Sequence, residues 1–246
     1  MAVQFSRSVP PGPAPGAFKY LGTVTAFFAA VLVTSNVASS AKIVDLGFSL
    51  FGVPMAFDGG TILFPLSYVF GDILTEVYGF RAGRRVIWTG FGCLALSALV
   101  FFGLRSLPGD PVWESSAGTA AYDKILGGMS SGGIALASLA GYLAGEFSNS
   151  LILSRMKVIC KGRFLWMRTI GSTLVGELLD TLVFVGIASL TGVFSRESFV
   201  TLVLTNYLFK CALEAILTPV TYLAVQGLKK AEGVDIYDEG IRYRLV

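Results

Sequence analysis

The chain has 246 residues, 54% of them apolar and 14% charged, with a mean hydropathy of +0.70. A soluble domain carries roughly 25% charged residues, so this composition is that of an integral membrane protein. The net charge of +3, from 19 basic and 16 acidic residues, is too balanced for a nucleic-acid partner. The absence of histidine and the wide spacing of Cys93, Cys160 and Cys211 argue against common zinc and iron sites, Ser-His-Asp hydrolysis, CxxC redox chemistry and a disulfide framework.

Taken in order, residues 1–17 are rich in proline and glycine and read as a disordered cytosolic tail. Residues 18–228 then form one transmembrane domain, and 229–246 a cytosolic C-terminal tail. Apolar windows near 20 residues place six helices at about 18–41, 58–79, 85–106, 129–152, 169–192 and 199–228. The fold class is therefore all-α, a polytopic bundle of six transmembrane helices. Ser39, Ser40 and Ala41 resemble a cleavage site, but the preceding span is too long for a signal peptide and reads as a retained helix.

Between the first two spans, Lys42 to Phe57 is apolar but broken by Gly47, Gly52 and Pro54, which predicts an irregular external segment, a short hairpin or re-entrant turn. Leu107 to Ile125 reads as an exposed external connection. Fourteen of the nineteen Lys and Arg fall in the N-terminal tail, the 79–85 turn, the 153–168 loop and the C-terminal tail. By the positive-inside rule both termini are cytoplasmic. Pro65 and Pro219 sit within spans two and six, where each removes a backbone donor and predicts a kink.

Polar residues recur inside these spans at helical spacing. Asp72 and Glu76 are i,i+4; Glu146 and Asn149 are i,i+3; Glu177 and Asp180 are i,i+3; Asn206, Lys210 and Glu214 form an i,i+4,i+8 stripe. Each set shares one helix face, and lipid cannot satisfy any of them, so these faces are expected to converge on one another or on water. Six acids against one internal lysine suit a bound cation, a donor-rich heterocycle or carboxyls that keep their protons. The bland alternatives are helix-end anchoring of Asp72 and Glu76 by Arg84 or Arg85, solvation of Glu146, and neutralisation of one carboxylate by Lys210. The amides of Asn36, Asn149 and Asn206 suit either a nucleobase edge or inter-helix bonding, and Tyr68, Phe184 and Tyr207 suit either stacking or packing. Gly141 and Gly145 form a GxxxG that permits close helix approach.

The segments PLSYVFGDILTEVYGFRAGRRVIW at 65–88, LWMRTIGSTLVGELLDTLVFVGIA at 165–188 and NYLFKCALEAILTPVTY at 206–222 resemble the VUT family of queuosine precursor transporters, and the likeness extends over nearly all of 20–228. The resemblance implies a six-helix bacterial inner-membrane importer of 7-cyano-7-deazaguanine or 7-aminomethyl-7-deazaguanine, not an enzyme and without a cofactor. Carried over, Tyr68, Asp72, Glu76, Arg168, Ser172, Asp180, Lys210 and Glu214 match its motifs, while Glu177 departs from a glutamine common in relatives. Under this reading Asp180 or Glu177 grips the guanine edge and Asn206 or Asn149 reads the rest. Lys210 then forms a charge pair with Glu214 or Asp72, with proton coupling possible. The rival is a substrate-capture subunit of an energy-coupling-factor importer, which would need a separate ATPase because no Walker motif occurs here. An acid-dependent intramembrane hydrolase and a purely structural protein are the remaining alternatives.

Overall fold

The computed structural model describes residues 18–50, 53–130, 132–192 and 199–244; the expectation for the tail 1–17 lies outside the described residues. The elements in order are α1 (Leu21–Ala41), β1 (Ile43–Leu50), β2 (Val53–Asp58), a 3-10 turn (Gly59–Ile62), α2 (Phe64–Tyr78), α3 (Phe80–Arg105), α4 (Pro111–Ser116), α5 (Gly118–Ser130), α6 (Gly132–Ile159), α7 (Leu165–Leu190) and α8 (Phe199–Glu232). Among the described residues, five stretches are long and apolar enough to cross a membrane: Leu21–Ala41, Phe80–Arg105, Gly118–Ile159, Leu165–Leu190 and Leu202–Glu232. The protein is an all-α, multi-pass membrane protein. Large apolar side chains such as Leu96, Leu99, Leu136, Leu208 and Leu223 are more than half exposed, as a lipid-facing surface requires.

The second expected span is corrected. Its first residues belong to β2 and the 3-10 turn, leaving α2 with 15 residues. At about 1.5 Å per residue it reaches roughly 22 Å, short of a ~30 Å hydrocarbon core. It does not need to cross alone, because α1, α3, α6 and α8 surround it and nearly every residue from Ser67 to Tyr78 is buried. The turn before α2 packs closely on α1: the Ser35 hydroxyl donates to the Gly60 carbonyl at 3.0 Å, and a Cβ at Gly60 would collide with the Ser39 side chain and the Ser35 backbone. Pro65 stands in the first turn of α2, where a missing N–H is harmless, so it does not kink a span. Pro219 lies inside α8 as expected.

The segment after α1 is a β-hairpin. Ile43 pairs with Asp58, Val44 with Phe57 and Asp45 with Ala56, and after an irregularity Ser49 pairs with Pro54. Gly47 supplies the positive φ of +72° at that irregularity, a conformation glycine adopts without a Cβ penalty. The connection after α3, expected as an exposed external segment, is mostly exposed and contains the helices α4 and α5. Asp110 caps α4 by accepting from Val112 and Trp113 N–H, and α5 is tied to α3 by the Arg105–Asp123 pair at 2.6 Å and by Tyr122, which donates to the Phe101 carbonyl.

Helix ends move as well. α3 begins at Phe80, so Arg81, Arg84 and Arg85 lie on its first turns. α6 continues to Ile159 and carries Lys157, α7 begins at Leu165, and α8 continues to Glu232 and carries Lys229. After Gly233, whose φ is +68°, the chain folds back as a strap along the basic end of the bundle. There Asp238 accepts from the Phe80 N–H at 2.7 Å and from the Ser154 hydroxyl at 2.6 Å. Tyr243 packs edge-on against Phe80 with ring centroids 5.1 Å apart. The segment expected as a C-terminal tail is thus packed against the bundle through these contacts.

The closest helix pair is α6 with α7, and the GxxxG glycines form it. A methyl at Gly145 would stand 2.7 Å from Asp180 Cβ and 3.1 Å from the Gly176 carbonyl, and one at Gly176 3.0 Å from the Gly145 carbonyl. Gly145→Ala is therefore expected to lose about 1–3 kcal/mol by overpacking. Gly186→Ala on α7 meets nothing within 4 Å and should be neutral or slightly stabilising. Thermal unfolding of both variants in detergent checks the contrast, and equal midpoints would refute it.

Candidate functional site

α2 runs through the middle of the bundle, so the i,i+4 spacing of Asp72 and Glu76 sets their carboxyls about one turn, ~5.4 Å, apart along its axis. The two residues belong to different networks.

Glu76 is fully buried at the basic end and held by three cations. Arg168 from α7 forks onto both carboxyl oxygens at 2.5 and 3.2 Å. Lys229 from α8 donates at 2.6 Å, and Lys157 from α6 lies 3.5 Å away. Lys157 also donates to the Glu76 carbonyl at 2.7 Å, to Asp235 at 2.6 Å and to the Ile236 carbonyl at 2.7 Å. Asp235 on the strap in turn accepts from Lys229 at 2.8 Å. Arg168 donates as well to the carbonyls of Arg163 and Gly162 in the α6–α7 turn. Two carboxylates and three cations from α2, α6, α7, α8 and the strap thus make one bidentate-anchored cluster.

Asp235 lies outside the spans. Burial pushes its carboxyl up, but hydrogen bonds from Lys157 and Lys229 outweigh that and hold it below the usual carboxylate range. A depressed folded value means that its contribution is complete at neutral pH and is lost as pH falls through that value, below about pH 4. Hydrogen exchange of residues 233–244 against pH checks this: protection should persist to pH 5, and its loss above that would contradict the ion-pair account.

One turn further inside lies the second network. Lys210 from α8 donates to Asp180 on α7 at 2.5 Å and forms an ion pair with Glu177 at 3.2 Å. Its ammonium stands 4.0 Å from the ring centroid of Phe64 on α2, a cation–π contact. Asp72 accepts from the Asn149 amide at 2.8 Å. Tyr68, Glu146, Glu177 and Glu214 are at most 2% exposed and Asp180 4%. The Tyr68 hydroxyl, Asp72 Oδ2, Asn149 Oδ1 and all four carboxyl oxygens of Glu146 and Glu214 have no hydrogen-bond partner among the described residues. A Cβ at Gly71 on α2 would touch the Glu146 carboxyl, and one at Gly145 on α6 would touch both the Tyr68 hydroxyl and the Asp180 Cβ, so these three side chains lie where α2, α6 and α7 meet.

The convergence of the polar helix faces expected from spacing is therefore present, with several roles redistributed. Lys210 pairs with Asp180 and Glu177, not with Glu214 or Asp72. Glu76 is anchored by Arg168, Lys157 and Lys229 instead of Arg84 or Arg85; Arg84 donates to the Arg244 carbonyl. Glu146 is buried, not solvated. Asn36 belongs to neither network: its amide donates to the Leu32 carbonyl and accepts from Ser138 at 2.5 Å, which ties α1 to α6. Ser172 turns back to the Thr169 carbonyl of its own helix. Asn206 and Tyr207 are half-buried on α8, and among the described residues no hydrogen bond or ion pair joins Asn206 to the acidic cluster. Spacing missed Lys157, Lys229, Asp235 and Phe64. The first two fell in presumed loop and tail, and helix continuity past Ile152 and Leu228 was the signal that could have recovered them.

A family model described as "Putative vitamin uptake transporter" matches residues 58–224. The chain is 27% identical over 174 residues to a Bacillus subtilis (strain 168) protein named "Probable queuosine precursor transporter", covering 70% of this chain and 73% of that one. It is 24% identical over 201 residues to an Escherichia coli (strain K12) protein named "Queuosine precursor transporter", covering 81% and 83%. No solved structure gives a significant match.

Proposed function

The chain belongs to the vitamin uptake transporter family, and from that membership and the buried polar interior we propose that it imports queuosine precursors, 7-cyano-7-deazaguanine or 7-aminomethyl-7-deazaguanine, across the bacterial inner membrane. It works as a secondary carrier with both termini in the cytoplasm, and the basic end of the bundle is the cytoplasmic end. The names of its relatives and the absence of an enzymatic one among them support transport.

The observation that carries this reading is the interior region itself. Asp180 and Glu177 on α7 pair with the ammonium of Lys210 on α8, and Asp72, Glu146 and Glu214 are buried on α2, α6 and α8 with carboxyl oxygens that have no hydrogen-bond partner among the described residues. A buried set of this kind needs added positive charge or protons to balance it. A deazaguanine brings N–H donors on a planar edge that a carboxylate accepts through two parallel bonds, and Tyr68 lies beside the carboxyls as an aromatic wall. Protons balance the remaining charge, so inward proton movement drives uptake. The Glu76 cluster closes the basic end one turn away and has to open for release.

The test is uptake of radiolabelled 7-cyano- and 7-aminomethyl-7-deazaguanine into proteoliposomes that hold only this protein, with and without an imposed proton gradient. Saturable, gradient-dependent accumulation is expected. Tight binding without uptake would instead make it a capture subunit that needs an ATPase partner, and no binding of either base would refute the assignment.

A further inference from the structure

The seam between α3 and α6 holds a concave site on its outer side. Glycines bring the two helices close: a Cβ at Gly83 would stand 3.3 Å from the Ser150 hydroxyl, and one at Gly90 2.6 Å from that of Tyr142. Beside this contact Trp88 of α3 and Leu143, Ala144, Phe147, Ser148 and Leu151 of α6 line a cavity of about 330 Å³. That volume falls within the ~300–1,000 Å³ of small-ligand clefts. Trp88 packs edge-on against Phe147 with ring centroids 5.8 Å apart and is 39% exposed. Leu143, Ala144, Ser148 and Leu151 are half-buried, so the walls reach the surface that meets lipid.

Helical spacing carries positive charge to one end of this cavity. On α3, Arg81, Arg84 and Arg85 precede Trp88 by seven, four and three residues; on α6, Arg155 follows Ser148 by seven and Leu151 by four. All four therefore share the helix faces that line the cavity. At about 1.5 Å per residue, Arg84 and Arg155 each lie ~6 Å beyond it toward the basic end. The strap brings these two together: Arg155 lies over the Tyr243 ring, 4.8 Å from its centroid, and Arg84 donates to the carbonyl of the next residue, Arg244, at 2.8 Å. Arg242 and Arg244 are themselves exposed. Among the described residues none of these six arginines is in a salt bridge. Asp238, the buried acid of this corner, is engaged by the Phe80 N–H and the Ser154 hydroxyl, and Glu239 is exposed.

An apolar recess that ends in arginines without acidic partners matches one kind of molecule, with an anionic head and an apolar tail. Guanidinium groups bond phosphate through parallel N–H pairs, and basic pockets between membrane helices recognise anionic lipid head groups. We propose that the α3–α6 groove seats an anionic glycerophospholipid from the leaflet at the basic end of the bundle. Its phosphate lies between Arg84 and Arg155, and one acyl chain enters the cavity against Trp88 and Phe147. A zwitterionic lipid could fill the same cavity, but it brings its own cation toward the arginines and is the weaker occupant.

Native mass spectrometry of the full chain, released from detergent micelles doped equally with phosphatidylglycerol and phosphatidylcholine, reads which lipid stays bound. Wild type should retain phosphatidylglycerol at least about tenfold better, the scale set by two arginines at an anionic surface. Arg84→Gln with Arg155→Gln should bring that ratio close to one. Ser148→Phe keeps every charge but fills the cavity, and should also lower phosphatidylglycerol retention. Lys161→Gln with Lys230→Gln removes two exposed charges of the same end and should leave the ratio unchanged. All of these positions are exposed or half-buried, so the variants are expected to fold, which their thermal unfolding in detergent checks. Equal retention of the two lipids by wild type, an equal fall in the lysine pair, or full retention in Ser148→Phe would overturn the seated lipid. Displacement of the lipid by free glycerol phosphate would overturn it as well, since the arginines would then be a site for a soluble anion.

Discussion

Replacing Glu76 by glutamine is expected to destabilise the folded chain by about 3–5 kcal/mol, the cost of removing one partner from a buried ionic cluster. The side chain keeps its shape, so no cavity is created; what changes is the charge that Arg168, Lys157 and Lys229 face at 2.5, 3.5 and 2.6 Å. Arg168 is only 1% exposed and Lys157 2%, so neither can turn to water. Asp235 would be left to balance three cations, and of these Arg168 is not its partner. A loss no larger than that from breaking the exposed Arg105–Asp123 pair, which solvent screens, would show that the cluster is solvated in practice. Neutralising a cation together with the anion, as in Glu76→Gln with Lys229→Gln, should restore part of the stability, since it lowers the number of unpaired charges. Thermal unfolding in detergent, with chain abundance in the membrane, measures all of these.

Replacing Lys210 by methionine is expected to lower uptake by at least about a hundredfold, ~2.7 kcal/mol. A single ammonium joins three helices: it sits on α8, is paired to Asp180 and Glu177 on α7, and faces the Phe64 ring on α2. Without it two neighbouring carboxyls on one face of α7 meet without a counter-charge, and the interior loses the fixed positive charge around which its acids are arranged. Adding Asp180→Asn should recover part of the folding, because one of the two unpaired carboxyls is neutralised. It should not recover transport, because the exchangeable ion pair is still absent. Substantial uptake by a folded Lys210→Met chain would reduce this lysine to a packing element.

Much of the architecture was legible because it rests on periods and charge counts. Apolar windows located α1, α3, α7 and α8, and helical spacing put Asp72 with Glu76 and Glu177 with Asp180 on shared faces. The GxxxG of Gly141 and Gly145 anticipated a close helix approach, though not its partner Gly176. Other features were not legible for identifiable reasons. α2 is as apolar as a spanning helix but is only 15 residues long. Hydropathy could not reveal this, because an apolar strand and turn precede it and extend the window. The strap was read only as a cytosolic tail, because the groups that Asp235 and Asp238 bond at the end of the bundle are brought to them by helix packing.

The sequence by itself determined that the chain lives in a membrane, that acidic and amide groups lie within its spans, and that basic residues gather at one end, since each follows from the cost of placing a side chain in hydrocarbon. Only the tertiary structure decided which carboxyl takes which cation. Glu76 and Lys229 are 153 positions apart, and Lys210 passes over Glu214 on its own helix to reach α7. Helix spacing states which side chains share a face, but a charge chooses its partner by the distance left once helices have packed. That distance was set by glycines at the α6–α7 crossing and by the burial of α2 among its neighbours.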